Sequence, residues 1–437
     1  MARRKERMAP APPPAGPTDP GVSVAAAILA LLLLACWFAV DTGAEASFDA
    51  PKRLATLAGV AIAAAAAFFP GRSTDSGFSP LGGRRAVIFL AAAAIAGAAV
   101  SALLSARRGP AFDTLRVLLL YALFLPLGAS RVLEKRGAAL ASLFVGCAAA
   151  SGVVSLLQAR GSFQPFRLVT AGHRENTTAF VGAIGLLAVA LALAALIALG
   201  AAITTSRPAV RFSAVAALAA IGAGLAANQN LTAFTALAAG CLALLVCLLR
   251  RRALIPLLSL AMLGAAAFAL YPPLRARASD ALVAVRVGDW DRLTTYRLGP
   301  WNAALEMIRQ RPLAGVGPGN FTAEFVDARL AAEIRAGRRF VNPLLTSSYG
   351  EAHSEYLQAF SDLGIPAGAC AIAAVLLLLA ATARRAFAEG RADPEAAILF
   401  ALLVAGATAA LTWFPLQRPV TAIPLLLAAG RAWRRLR

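Results

Sequence analysis

Apolar runs close to twenty residues long recur down the chain, from "VSVAAAILALLLLACWFAV" (Val22–Val40) to "AILFALLVAGATAALTWF" (Ala397–Phe414). A hydrocarbon layer about 30 Å thick is crossed by about 20 residues of helix. Inside it every backbone N–H and C=O needs an internal partner, and Ala/Leu-rich runs meet that need as helices better than as barrel strands. The rest of the composition agrees. Of 437 residues 59% are hydrophobic and 15% charged, with a mean hydropathy of +0.70, whereas soluble domains run near half apolar and about a quarter charged. The expected class is an all-α polytopic membrane protein.

Twelve spans are expected, at about 21–40, 54–70, 86–104, 111–129, 138–157, 177–203, 209–227, 231–249, 253–271, 359–382, 396–414 and 419–431. An even number places both termini on one side. With the N-terminus taken as cytoplasmic, that side holds 22 Lys and Arg, against 9 in the short segments of the other face. The positive-inside rule favours this orientation. The net charge of +20 is thus a topology signal rather than a nucleic-acid-binding patch, and nucleic acid is not an expected partner. Residues 1–20 read as a basic, Pro-rich cytoplasmic tail, 21–271 as spans one to nine, 272–352 as an extracytoplasmic loop, 353–431 as spans ten to twelve, and 432–437 as a second cytoplasmic tail. Long loops translocate whatever their charge, so the 11 Arg between 271 and 352 do not count against this arrangement. The loop carries short helices: "TTYRLGPWNAALEMIRQRP" sets Trp301, Leu305 and Ile308 on one helical face and ends at Pro312.

Cys36, Cys147, Cys241, Cys247 and Cys370 all fall in apolar runs without metal-ligand spacing and read as small core residues. "LLLLAC" echoes a lipoprotein cleavage site, but the run continues through "WFAV", as an uncleaved anchor does. "GVGPGN" (Gly315–Asn320) lacks the Lys-Ser/Thr of a phosphate-binding loop and the spacing of a dinucleotide site, so its glycines read as a tight turn. No cofactor is expected, and without an Asp-x-Asp or clustered-carboxylate motif no metal either. The three N-x-Thr matches at Asn176, Asn230 and Asn320 read as chance.

"RLGPWNAALEMIRQRPLAGVGPGNF" (Arg297–Phe321) followed by "EAHSEYLQAFSDLGIPAG" (Glu351–Gly368) resembles the O-antigen ligase and O-antigen polymerase-like superfamily. There an Arg precedes a Trp-bearing helix, a P-x-x-G-x-G-x-x-x-F turn follows, and a His-Asn/Ser-x-x-Leu step enters the next span. "GHRENTTAF" (Gly172–Phe180) is similar to the family's Asn-containing entry to a mid-chain span, with Asn176 at the matching place. The resemblance implies a GT-C-like membrane glycosyltransferase of the bacterial inner membrane, with the 272–352 loop in the periplasm. It implies transfer of a glycan from a polyprenyl diphosphate carrier to lipid A core, or to another glycan or protein acceptor, amid membrane lipids. His353 matches the functional His and Arg297 the functional Arg.

That reaction needs a fixed cation for the diphosphate charge released as the anomeric C–O bond breaks, which an Arg fork supplies. It also needs a proton acceptor for the attacking hydroxyl, which neutral imidazole supplies near neutral pH. His353 is the expected base or acceptor-orienting group; the plainer reading is a His hydrogen-bonded at a helix mouth, on one helical face with Leu357 and Phe360. Glu351 and Glu355 fall off that face as solvated acids, with Glu355 a candidate for a direct role. Arg297 is the expected diphosphate ligand, and its plainer reading is a surface Arg paired with Asp289 or Asp291. Arg292 is the rival if the local register shifts. Trp301 reads as a packing anchor. Arg174, beside His173, is a candidate for phosphate or acceptor, against an ordinary interfacial pair, and Asn176 for orienting substrate.

One departure stands out. Family members carry Ser-Arg at the outer start of the span at 231–249, that Arg being a second diphosphate ligand, whereas this chain has Asn230 and Leu231. Arg167, Arg174, Arg338 or Arg339 would have to substitute, or the protein is a divergent or inactive member. Ligase and polymerase remain alternatives, since both share donor and motif. A transporter is disfavoured by nearly wholly apolar mid-spans and the lack of a convincing internal repeat.

Overall fold

A computed structural model describes residues 20–42, 46–68, 83–165, 177–256, scattered positions within 257–271, 272–340, 349–388 and 393–436. The described chain is helical: α1 (Pro20–Phe38), α2 (Ala50–Phe68), α3 (Gly83–Leu104), α4 (Arg108–Ala122), α5 (Phe124–Ala129), α6 (Arg131–Ala159), α7 (Ile184–Thr204), α8 (Pro208–Asn228), α9 (Leu231–Leu249), α10 (Pro272–Val287), α11 (Trp290–Leu293), α12 (Leu298–Gln310), α13 (Phe321–Ala336), α14 (Glu355–Ala386), α15 (Pro394–Ala409) and α16 (Pro419–Arg435). Nine of the described helices, α4 and α5 counting as one, are long and apolar enough to cross a membrane, so the protein is an all-α polytopic membrane protein. The spans expected at 396–414 and 419–431 correspond to the shorter α15 and α16, about 24 and 26 Å long at 1.5 Å per residue. The span expected at 253–271 lies mostly outside the described residues.

Two boundaries differ from the sequence expectation for identifiable reasons. The helix expected from 138 begins at Arg131, because Ser130 accepts the Val132 N–H at 3.1 Å and caps it, and the charged turn then continues straight into the apolar run. The span expected from 177 begins at Ile184. Residues 177–183 are buried or half-buried yet not helical, and side chains satisfy much of their backbone instead. Lys52 Nζ donates to the Phe180 and Val181 carbonyls at 2.5 and 3.2 Å, Gln158 Oε1 accepts the Ala179 N–H at 2.7 Å, Ser155 Oγ donates to the Thr177 carbonyl at 3.1 Å, and Asn228 Nδ2 donates to the Ile184 carbonyl at 3.1 Å. α7 then runs through the centre of the bundle, packed against α8, α9 and α15.

The loop region builds a helical hairpin, α12 against α13, with a small core of Ala303, Ala304, Met307, Phe321 and Phe325. Glu306, 3% exposed, ties it with a 2.8 Å ion pair to Arg335. The buried face of α12 is therefore Ala303, Ala304 and Met307, while Leu305 is 53% exposed. This corrects the expected Trp301, Leu305 and Ile308 face: α13 packs on the small side chains, which allow close approach.

The turn after α12 docks onto a break in α14. Gly364 there has φ 80 and ψ 167, a region essentially open only to glycine. Ile365 N–H donates to the Pro312 carbonyl at 2.7 Å, Val316 N–H to Ser361 at 2.9 Å, and Gly317 N–H to Asp362 at 3.0 Å. The glycines of "GVGPGN" thus do more than turn. A Cβ on Gly315 would meet the Asp362 carbonyl, and one on Gly364 the Leu313 carbonyl. Gly364→Ala is expected to destabilise the protein by about 3 kcal/mol or more from combined strain and overpacking. Thermal unfolding in detergent measures this, and an unchanged midpoint would contradict the account.

The two ends of the bundle differ. At the far end of α14 and α16, Asp393 and Glu395 gather Arg385, Arg431 and Arg435 into one ionic cluster, and Arg434 pairs with Glu134 at 2.7 Å. Asp393 also accepts the Ala396 N–H; that bond and the arginines hold its carboxyl below the usual range against the effect of burial. His353 lies at the opposite end.

Candidate functional site

Ser354, not His353, caps α14: its hydroxyl accepts the Leu357 N–H, and the helix starts at Glu355. His353 is therefore outside the helix, with φ 53 in the left-handed region. Its expected alignment with Leu357 and Phe360 on one helical face does not hold. Instead the imidazole meets three rings edge-on: Tyr349 at 5.5 Å, Trp413 at 5.3 Å and Phe414 at 5.4 Å between centroids. Trp413 and Phe414 stack on each other at 4.6 Å. The second reason for the His353 orientation is a 3.1 Å contact from Nδ1 to the Glu351 carbonyl. A carbonyl only accepts, so this contact assigns the ring proton to Nδ1 and leaves the lone pair on Nε2.

Arg297 arrives from the other side. It precedes α12, and its guanidinium lies over the Trp413 ring, 6.0 Å from the centroid. It does not pair with either expected acid. Asp289 accepts the Arg292 N–H at 3.0 Å, and the Asp291 carboxylate, raised by burial, takes the Leu298 N–H. Arg297 Nε is buried and has no hydrogen-bond partner among the described residues. Burial lowers the Arg297 pKa from its usual value. Burial first, then the Arg297 charge, also pushes the His353 imidazole below its ordinary value, against the Glu351 carbonyl bond. The pair therefore presents a fixed cation and a neutral imidazole side by side.

The backbone that delivers them is strained. Thr295 and Tyr296 both have positive φ, 58 and 62, immediately before Arg297. Tyr349 joins the two segments: its hydroxyl donates to the Tyr296 carbonyl at 2.7 Å while its ring faces His353. Strain held by surrounding contacts is a property of sites where geometry matters.

The other expected residues fare differently. Glu355 is not solvated: it accepts the Leu416 N–H at 2.7 Å, while its own N–H donates to the Ala410 carbonyl at 2.9 Å, so it locks the start of α14 to the α15–α16 connection. Glu351 is likewise engaged, by Arg418 at 2.8 Å. Arg292 is exposed and paired with Asp280 at 3.0 Å, away from the rings. His173, Arg174 and Asn176 lie outside the described residues, as does Arg167. Asn230 caps α9 by accepting the Ala233 N–H at 3.0 Å, and neighbouring Thr232 bonds Thr412 at 2.9 Å, next to Trp413. The corner that lacks the expected Ser-Arg thus adjoins the ring cluster. Of the substitutes within the described residues, Arg338 stacks over Phe340 at the end of α13.

The sequence reading missed Trp413, Phe414, Tyr349 and Arg418. Arg418 lies over the Phe414 ring at 5.8 Å and pairs with both Asp49 and Glu351, at 2.7 and 2.8 Å. It joins the connection before α2 to the His353 segment. For Trp413, Phe414 and Arg418 the signal was the "TWFPLQR" run (Thr412–Arg418), a polar and aromatic break between two apolar helices. Arg418→Met would keep the stem but leave two carboxylates facing each other, at an expected cost of about 1–3 kcal/mol. Burial already raises the Glu351 pKa and Arg418 opposes that rise. Without Arg418 the folded-state value climbs further above the unfolded one, so the folded variant binds more protons. The stability gap from wild type should then narrow as pH falls from about 7 towards 5. Unfolding midpoints across pH test it; a gap that widens would refute it.

These elements define a class: a polytopic helical membrane protein with an Arg–His site at the mouth of a span, roofed by a helical hairpin. Residues 215–372 match the family model described as O-Antigen ligase, which places that segment in the O-antigen ligase-like superfamily. No curated protein matches the chain. The matched segment contains Arg297 and His353, whereas Asp49, Trp413, Phe414 and Arg418 lie outside it. Among the described residues no group of three or more His, Cys, Asp or Glu is placed to hold a metal ion.

Proposed function

We propose that the protein transfers a glycan from a polyprenyl diphosphate carrier to an acceptor hydroxyl at the periplasmic face of the bacterial inner membrane, both termini being cytoplasmic. The supporting family match is to O-antigen ligases in general. The observation that carries the finer reading is the adjacency of an Arg297 Nε without a hydrogen-bond partner and a His353 whose Nε2 lone pair is free. In the proposed step the acceptor oxygen attacks the anomeric carbon as its proton passes to His353 Nε2. The anomeric C–O bond breaks, and its electron pair leaves on the diphosphate, which Arg297 steadies. No step requires a metal ion. His353 is held by rings and by a carbonyl, which suits a base that must stay neutral until it takes a proton.

Complementation tests the function. Expression in a bacterium lacking its surface-polysaccharide ligase, with lipopolysaccharide read on a gel, is expected to restore the ladder of polysaccharide joined to lipid A core. Extended glycan remaining on the lipid carrier would mark a polymerase instead. No change in either product at verified expression would refute the transfer reading in that host.

A further inference from the structure

A second charged feature lies apart from the His353 site. A cleft of about 380 Å³ opens between the end of α3 and the turn that follows α12, lined by Leu104, Ala106, Arg311, Pro312, Leu313 and Ala314 among others. None of Arg297, His353, Trp413 or Arg418 lines it. Leu104 ends a membrane span and is 67% exposed, and Leu313 on the opposite lip is 78% exposed. A bare leucine at the end of a span and another across the cleft from it can face acyl chains at no cost, whereas in water each would forfeit the gain of burial. The lining contains one ionisable side chain, Arg311, and no carboxylate. The Arg311 guanidinium makes no ion pair or hydrogen bond with the described residues, unlike Arg309, which pairs with Glu306. An apolar cleft with one free guanidinium at the membrane boundary is complementary to an anionic head joined to hydrocarbon. A soluble anion would gain nothing from the walls.

We propose that this cleft is a binding site for an anionic membrane phospholipid, its phosphate on Arg311 and its acyl chain along Leu104 and Leu313. The lipid would also bear on the joint between hairpin and bundle. Pro312 accepts the Ile365 N–H and Gly315 lies against Asp362 and Gly364, so the cleft wall is the segment that closes on the break in α14. Binding to the folded state alone raises its stability. The site does not depend on the transfer chemistry.

The test uses the full-length protein, delipidated in a neutral detergent, titrated with phosphatidylglycerol, phosphatidylcholine, a polyprenyl phosphate or inorganic phosphate. Native mass spectrometry counts retained lipids and thermal unfolding follows stability. Phosphatidylglycerol should bind and raise the midpoint of wild type and Arg309→Gln, with affinity roughly five- to tenfold lower in Arg311→Gln. Leu313→Asp, a surface change that places a negative charge on the wall, should show the same loss and serves if Arg311→Gln folds poorly. Equal phosphatidylglycerol binding by wild type and both cleft variants would overturn the proposal. So would phosphatidylcholine or inorganic phosphate acting as well as phosphatidylglycerol, or retention of the polyprenyl phosphate alone.

Discussion

His353→Asn should reduce glycan transfer about 10²- to 10⁴-fold while leaving the unfolding midpoint close to wild type. Asn is the informative replacement because His353 sits at φ 53, a conformation that Asn adopts more readily than Ala or Gln. Its side chain can still hydrogen-bond but cannot accept a proton at neutral pH. The wild-type pH profile carries the second half of the prediction. Burial and the Arg297 charge hold the imidazole below its ordinary value, so the neutral form persists to lower pH than in a free imidazole and activity should fall only there. Transfer assayed with purified protein and lipid-linked donor gives both quantities. A variant as active as wild type would remove His353 from the chemistry.

Arg297→Gln should cost about 10²- to 10³-fold in kcat, the range for removing one preorganised donor from a developing negative charge. Arg297→Lys should recover only part of it, since an ammonium lacks the planar fork. The Gln variant also makes a prediction at a distance. Because the guanidinium lowers the His353 pKa, its removal lets that value rise, and the acid limb of the residual activity should move to higher pH. An Arg297 charge that does not reach His353 would lower activity without that shift. Full activity in Arg297→Gln would end its assignment to the leaving group.

Much of the architecture is legible in the sequence because the bilayer imposes one rule on every span. A run such as Ile184–Thr204 is long, apolar and helical for the same reason. The misreadings occur where tertiary contacts override local pattern. Residues 177–183 look like the start of a span, and nothing local reveals that Lys52 and Gln158 will satisfy their carbonyls and N–H groups. His353 and Arg297 are legible because they stand in a motif. Their surroundings are not, since Trp413 and Arg418 approach from the α15–α16 connection and Asp49 from before α2. Helical spacing misplaced His353 because the Ser354 cap starts the helix two residues later, at Glu355.

The largely buried stretch 177–183 also constrains how the chain is made. Its polar partners come from three helices, and one of them, Asn228, is synthesised 51 residues after Thr177. When α7 first leaves the ribosome the Ile184 carbonyl still lacks the amide that will hold it. The segment is expected to reach its final depth only after α8 is inserted: a cysteine introduced at Thr178 should stay open to a water-soluble maleimide in nascent chains halted before residue 228 and be closed to it in longer ones.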